Sequence, residues 1–447
     1  MQRIYKIAGA LWAAVLLSAP SSAAGQATSL AGLLIEADTA NPEIRAARRV
    51  AEAAAARVPQ AGALPDPMLG VGMMNVPVAD PGLGRDMMTM AQVQVSGTLP
   101  WPGKLGLRED VARLQAEAAA FEVERVRDRI AADVETAYYR IYFIDRALEV
   151  TGRNTTLVGD FARLTSTKYG VGSGAQPDVL KAQVERTRLS DQLVTLAERR
   201  ESELARLNSV LARPTGMPLP VTELPTGVRV AAVPVQSDGP RFAASALDGL
   251  IREAPADDGL PSTVELQALA LEHNPMIQAH VRRVAAQERA LELAGTATLP
   301  DFNVSAGYSF RNGFGDFFNV MVSAPLPIFA GRKQSQGVVE QTAVLEDHRA
   351  RHHAMVNELN SEIASLAAEL RRTRQQLLLL NDGILPQARA GLESSTSAYR
   401  VGRVDFLTLL DAQVTLYRHE LDYHRLLTEF AENLAALERA VGTEVLR

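Results

Sequence analysis

Hydrophobic and polar residues alternate along this chain from residue 88 to residue 96 and, beyond residue 103, recur at heptad spacing. Met88, Met90, Gln92, Gln94 and Ser96 fall on one face of an extended segment, with Thr89, Ala91, Val93 and Val95 on the other. Beyond Gly103, apolar residues recur at Leu107, Val111, Leu114, Ala118 and Phe121, at the steps of four and three that give a helix a narrow packing seam. The joint between the two patterns is Leu99-Pro100-Trp101-Pro102-Gly103-Lys104. Its prolines cannot donate a ladder hydrogen bond, and each biases the residue before it away from helix. From Lys104 to about Lys168 there is no proline. At ~1.5 Å per residue that span predicts a helix of roughly 97 Å, longer than an ordinary globular domain. The seam passes from Phe121 to Val123, Val126, Ile130, Val134, Ala137, Ile141, Ile144 and Leu148. Its paired four-residue steps act as a stutter, which unwinds a left-handed supercoil and suits nearly straight helices beside several neighbours. An ordinary coiled coil would show a similar periodicity.

The joint has an echo at Val322-Ser323-Ala324-Pro325-Leu326-Pro327, followed by Ile328, Phe329 and Gly331-Arg332-Lys333. Other segments repeat in the same order. Asn41-Pro42-Glu43-Ile44 matches Asn274-Pro275-Met276-Ile277, Leu64-Pro65-Asp66 matches Leu299-Pro300-Asp301, and Val171 to Val184 matches Val401 to Val414. The chain is therefore read as two copies of one unit. The first covers 25–213 with a β-hairpin at 67–100, and the second covers 263–447 with a β-hairpin at 302–328. Each begins with a helix (Leu30 to Val58, Val264 to Ala294), crosses its hairpin and joint, and runs out and back in a long helical hairpin. The Pro- and Gly-rich stretch 214–262 between them reads as a linker or loosely packed belt.

The second hairpin places Phe302, Val304, Ala306, Tyr308 and Phe310 opposite Asn303, Ser305, Gly307 and Ser309. After its turn, Phe318, Val320, Val322 and Ala324 oppose Asn319, Met321 and Ser323. An apolar face with aromatic ends backed by a polar, small face is the pattern of a membrane barrel strand, although half-buried soluble sheets also alternate. Four strands cannot close a barrel, and with the export signal and lack of a spanning helix described below, the economical way to cover their edges is an oligomer that pools its hairpins into one barrel.

Composition narrows the choice. A formal net charge of −6 without a basic block argues against a nucleic-acid partner. Arg3 and Lys6, the apolar run Ile7 to Leu17, and small residues at Ser22 and Ala24 read as a secretory signal peptide over 1–24. That run is too short for a spanning helix, and no later segment supplies one. The chain has no cysteine, which excludes disulfides, thiolate metal sites and an acylated amino-terminal cysteine.

The two-fold unit, the Leu-Pro-Trp-Pro-Gly-Lys joint, and the tips Tyr169-Gly170-Val171-Gly172 and Tyr399-Arg400-Val401-Gly402, each followed by an Ala-Gln-Val helix, resemble the TolC family of outer-membrane efflux ducts. The resemblance implies a mixed α and β membrane protein in the outer membrane with a periplasmic extension. It would be a homotrimer with one β-barrel and an α-helical periplasmic tunnel, working with a periplasmic adaptor and an inner-membrane RND-type pump. The Pro65-Asp66-Pro67-Met68 strand start and the Met-rich hairpin are most similar to the branch serving copper and silver pumps, although the acylated cysteine common there is missing. The resemblance further implies adaptor docking at Val171, Gly172, Gly174, Val401 and Gly402. It implies a gate in which Asp178 bonds Tyr399 and Asp411 lines the entrance. Thr408 stands where a second ring carboxylate is expected, and the basic partner is displaced to Arg403.

Candidate chemistry is otherwise sparse. Met68, Met74, Met88, Met90 and Met321 are assigned to the lumen face, where thioethers suit Cu(I) or Ag(I); methionine is also a general gap-filler on strands. His348 and His352 stand one helical turn apart beside His353, without the carboxylate that a zinc-hydrolase motif requires; they read as solvated helix residues. His419 and His424 do not share a helix face. No phosphate loop, nucleophile elbow or paired-carboxylate signature points to an enzyme, and no cofactor is expected. The competing readings are a drug or solvent duct of the same family, and a periplasmic coiled-coil adaptor. An adaptor needs only one helical hairpin, so the duplication disfavours it.

Overall fold

The structure is a computed structural model, and it describes residues 29–79, 82, 86–220, 222–233 and 261–445. The expected signal peptide at 1–24 lies outside the described residues, as does 234–260 of the linker.

The first unit runs α1 (Leu30–Ala40), α2 (Pro42–Gly62), β1 (Met68–Met74), β2 (Met90–Leu99), α3 (Lys104–Gly170) and α4 (Gln176–Val210), and a short α5 (Thr226–Ala232) follows. The second runs α6 (Thr263–His273), α7 (Pro275–Gly295), β3 (Phe302–Phe310), β4 (Phe317–Ser323), α8 (Gln334–Leu378), a π-helical turn (Leu379–Ile384), α9 (Leu385–Arg400) and α10 (Phe406–Val441). The long helix is confirmed, α3 being unbroken over 67 residues. Its counterpart is continuous from Gln334 to Arg400 except for the π-turn. Pro386, at the start of α9, has no N–H to offer the preceding turn, and a locally widened helix accommodates that loss.

The helix expected over each unit's amino-terminal segment is instead a pair. Asn41 and Asn274 cap the second member, each Oδ1 accepting from two backbone N–H groups ahead of it (Glu43 and Ile44; Met276 and Ile277), and the proline that follows sits at the first helical position. Each cap also ties its unit together. Asn41 Nδ2 donates to Val210 O at the end of α4, and Asn274 Nδ2 to Ala440 O near the end of α10, both at 2.8 Å. The repeated Asn-Pro is thus a kink fastened to the returning helix.

Helix α3 packs along α2, α4, α7 and α10, while α8 packs along α7 and α10. The main core lies where these helices cross, with Ile130, Val134, Ile141, Leu207, Ile277, Ile363, Leu370, Phe430 and Leu437 at most 2% exposed. The described part of the linker is not loose. Leu219, Leu224 and Ala232 are buried in this core, and Asp145, paired with Arg200 at 2.6 Å, accepts the Thr222 N–H.

The four strands form one antiparallel sheet in the order β1-β2-β3-β4. The β2–β3 pairing joins the two units, while β1 and β4 are unpaired edges and exposed throughout. Met68 faces Ser96 in the first hairpin and Asn303 faces Ser323 in the second, so the two hairpins repeat one register.

Candidate conduit surface, strand-to-helix joint and tunnel tips

Register sorts the sheet into two chemically distinct faces, because directly paired residues project to the same side. Leu69, Val71, Ala91, Val93, Val95, Val304, Ala306, Tyr308, Phe318, Val320 and Val322 share one face. The other carries Gln92, Gln94, Ser96, Thr98, Asn303, Ser305, Ser309 and Asn319 together with Met68, Met74, Met90 and Met321. Of the five methionines expected on this face Met88 is the exception, and Met73, opposite Ala91, lies on the apolar face. Strand β2 begins only at Met90, and Met88 belongs to the turn before it, where Asp86 Oδ1 accepts its N–H and Asn75 Nδ2 donates to its carbonyl. Those turn bonds end the ladder two residues earlier than alternation alone suggests.

At the base of the sheet the first joint closes onto the second unit. Lys104 Nζ donates to Leu299 O at 2.6 Å and to Asp301 Oδ1 at 2.8 Å, and the same carboxylate oxygen accepts the Trp101 N–H at 2.9 Å. Trp101 stacks on Phe302 with centroids 5.8 Å apart. The Lys104 side chain is 8% exposed and that of Asp301 30%. Its hydrogen bond from Lys104, then that from the Trp101 N–H, holds the Asp301 carboxyl below the usual carboxylate range. The repeated Leu-Pro-Asp and the Leu-Pro-Trp-Pro-Gly-Lys joint are two halves of one contact.

The far ends of the long helices reverse through matching turns. Ser173 N–H donates to Lys168 O and Gly172 N–H to Tyr169 O; Arg403 N–H donates to Ala398 O and Gly402 N–H to Tyr399 O. This paired pattern is the Schellman termination, which places the residue after the cap in the left-handed region. Gly172 and Gly402 occupy it with φ of 74° and 73°. Gly174 is needed for closeness, since a Cβ there would stand 3.0 Å from Lys168 Cβ and from the Tyr169 nitrogen. Val171 and Val401 project at the tips, 74% and 70% exposed.

Just inside the tips, Tyr399 is buried against Phe161, Ala182, Phe406 and Leu409. Burial and then the nearby Asp178 carboxylate raise its hydroxyl pKa, yet no hydrogen bond joins Tyr399 to Asp178. Lys168 takes that place instead. Its ammonium lies 4.2 Å from the Tyr399 ring centroid and donates to Tyr399 O. Asp411 is exposed on α10, and Asp405 caps that helix by accepting from the Thr408 N–H and hydroxyl. Those bonds, the hydroxyl's first, lower the Asp405 pKa. Thr408 therefore belongs to the helix cap. Deeper, Gln413 Nε2 donates to Asn154 Oδ1, and Thr151 meets Tyr417, forming a buried polar layer between α3 and α10. Sequence inspection missed Lys168 because its partner is 231 residues away.

The histidines assemble differently from their sequence spacing. His348 and His352 meet His280 of α7 at centroid distances of 6.0 and 5.7 Å, and His280 is buried. Among the described residues, no group of three or more His, Cys, Asp or Glu side chains is arranged to hold a metal ion. Among the same residues, no helix is long and apolar enough to cross a membrane.

The family model described as outer membrane efflux protein matches residues 33–213 and 266–443. The chain is similar to the cobalt-zinc-cadmium resistance protein CzcC of Cupriavidus metallidurans, with 22% identity over 95% of this chain and 92% of that one. It is also similar to the outer membrane protein TolC of Vibrio cholerae, with 22% identity over 75% of this chain and 72% of the relative. The crystal structure of the transmembrane channel CusC superposes with a TM-score of 0.74 at 15% identity, covering 93% of this chain and 92% of that one, which establishes the shared fold.

Proposed function

Because this chain belongs to the outer membrane efflux protein family, and is thereby an outer-membrane efflux channel, we propose that it serves a heavy-metal export system. Three copies would pool their strands into one barrel and their helices into one periplasmic tunnel. Cargo would arrive from an RND-type inner-membrane pump through a periplasmic adaptor. The observation that carries this reading is the sheet register. One face is continuous apolar surface suited to lipid, the other is polar and carries four methionines, and both edges are open for pairing with further chains.

The metal assignment rests on Met68, Met74, Met90 and Met321 sharing the polar face, and on likeness to a cobalt-zinc-cadmium resistance protein and to CusC. Thioethers favour soft monovalent copper and silver. They are weak ligands, Met74 and Met90 paired directly across β1 and β2 with Met68 and Met321 apart from them, along a path that must release its cargo. The adaptor would dock on Val171, Gly172, Gly174, Val401 and Gly402, where the helices turn. The gate would be formed by Asp178, Tyr399 and Asp411 of each protomer, with Lys168 held against Tyr399.

The test is deletion of the gene followed by tolerance assays against copper, silver, cobalt, zinc and cadmium salts and a set of organic drugs and solvents. The expected result is loss of tolerance to one or more metals with drug tolerance retained. Selective loss of drug or solvent tolerance would replace the metal assignment with the family's other cargo class.

A further inference from the structure

The two units repeat the same joint, but only one copy of it is closed within the chain. Lys104 follows Gly103 and its N–H donates to Trp101 O; Arg332 follows Gly331 and its N–H donates to Phe329 O. Arg332 is thus the second unit's Lys104, and Phe329 stands for Trp101. The repeated Leu-Pro-Asp makes Asp66 the first unit's Asp301. The closed copy buries Lys104 to 8% exposure through the acceptors Leu299 O and Asp301. In the open copy Arg332 and Asp66 are exposed and make no ion pair among the described residues, and Phe329, Ile328 and Leu326 are 70%, 77% and 80% exposed. Leu64, beside Asp66, is 59% exposed.

We propose that Arg332 of one protomer clasps Asp66 and the Leu64 carbonyl of the neighbouring protomer, as the intermolecular copy of the Lys104–Asp301 contact. The inference rests on the proposed pooling of chains into one barrel and names the residues that lock it. The β2–β3 register supplies the geometry. Ser96 faces Ser305 and Gln94 faces Gly307; carried over by the repeat, Ser323 faces Gly70 and Met321 faces Gly72 of the neighbour. That pairing brings the end of β4 beside the start of the neighbour's β1, and so Arg332 beside the neighbour's Asp66. Phe329 then covers the neighbour's Pro67 as Trp101 covers Phe302. Arginine in place of lysine suits a contact between chains, because its planar fork binds a carboxylate through two parallel hydrogen bonds and fixes orientation as well as charge.

The test uses the full-length protein in detergent, where the absence of native cysteine makes engineered thiols unambiguous. Asp66→Cys with Arg332→Cys, treated with a short bis-maleimide, should give a covalent ladder ending at three chains, whereas either single variant stays at one. Asp66→Arg and Arg332→Asp should each shift the trimer–monomer equilibrium by about tenfold, and the double reversal should recover most of that loss, as coupled neighbours do. A parent of native mass corresponding to three chains, with neither the ladder nor the recovery, overturns the clasp and leaves the trimer intact. A parent that is one chain in detergent overturns the pooling itself.

Discussion

Replacing Lys104 by methionine keeps most of the side chain's volume and removes the ammonium that joins the two units. Two hydrogen bonds are lost, one to Leu299 O and one to Asp301 Oδ1, and the carboxylate retains only the Trp101 N–H. Breaking one partner of a fully buried ion pair costs about 3–5 kcal/mol. Asp301 is 30% exposed, so water recovers part of its solvation and the expected loss is about 2–3 kcal/mol. Asp301→Ala should be worse, because it strands an ammonium that is only 8% exposed. In the double variant neither charge is stranded, so its loss should fall short of the summed singles by about 1.5 kcal/mol or more. Trp101, stacked on Phe302, reports on the same contact; the chain's other tryptophan, Trp12, lies in the expected leader. Denaturant titrations of the detergent-solubilised protein, followed by Trp101 emission, measure all four variants. Asp301 has a depressed folded-state pKa, so its contribution is present above the unfolded value of about 3.9 and is lost as pH falls through the lower folded value. The gap between parent and Lys104→Met should therefore begin to narrow below about pH 4 and keep narrowing as pH falls further. Strict additivity, or unchanged stability in both single variants, would refute the clasp between units.

Two further predictions follow from side chains elsewhere on the helices. Lys168→Met, which removes the ammonium held over the Tyr399 ring and its bond to Tyr399 O, should raise single-channel conductance of the isolated protein in planar bilayers by loosening the tip; conductance equal to the parent's removes Lys168 from the gate. Glu135 is pushed up to about 7, by burial first and then by Glu438 and Glu444. Its stabilising contribution is therefore full below about pH 4.5 and lost as pH rises through 7, and Glu135→Gln should stabilise the protein at pH 8 by up to about 3 kcal/mol with no gain at pH 4. A gain independent of pH contradicts that assignment.

Much of this molecule was legible from its sequence because its signals are local and occur twice. Alternation marked the strands and their two faces, the seam after Gly103 marked α3, and Gly172 and Gly402 marked turns that need a left-handed residue. Repetition of Asn-Pro, Leu-Pro-Asp and the joint established the duplication. What each repeated residue does required the tertiary structure. Nothing local states that Asn41 reaches Val210, that Asp301 receives Lys104, or that Lys168 rather than Asp178 engages Tyr399. The turn bonds of Met88 and the kinks at Pro42 and Pro275 likewise come from competing hydrogen-bond partners, which a periodicity pattern does not contain. Sequence by itself determined the period of each element and therefore which face is apolar. Tertiary structure decided which distant polar groups meet, because desolvation leaves a charge such as Lys104 stable only beside a partner that folding alone delivers.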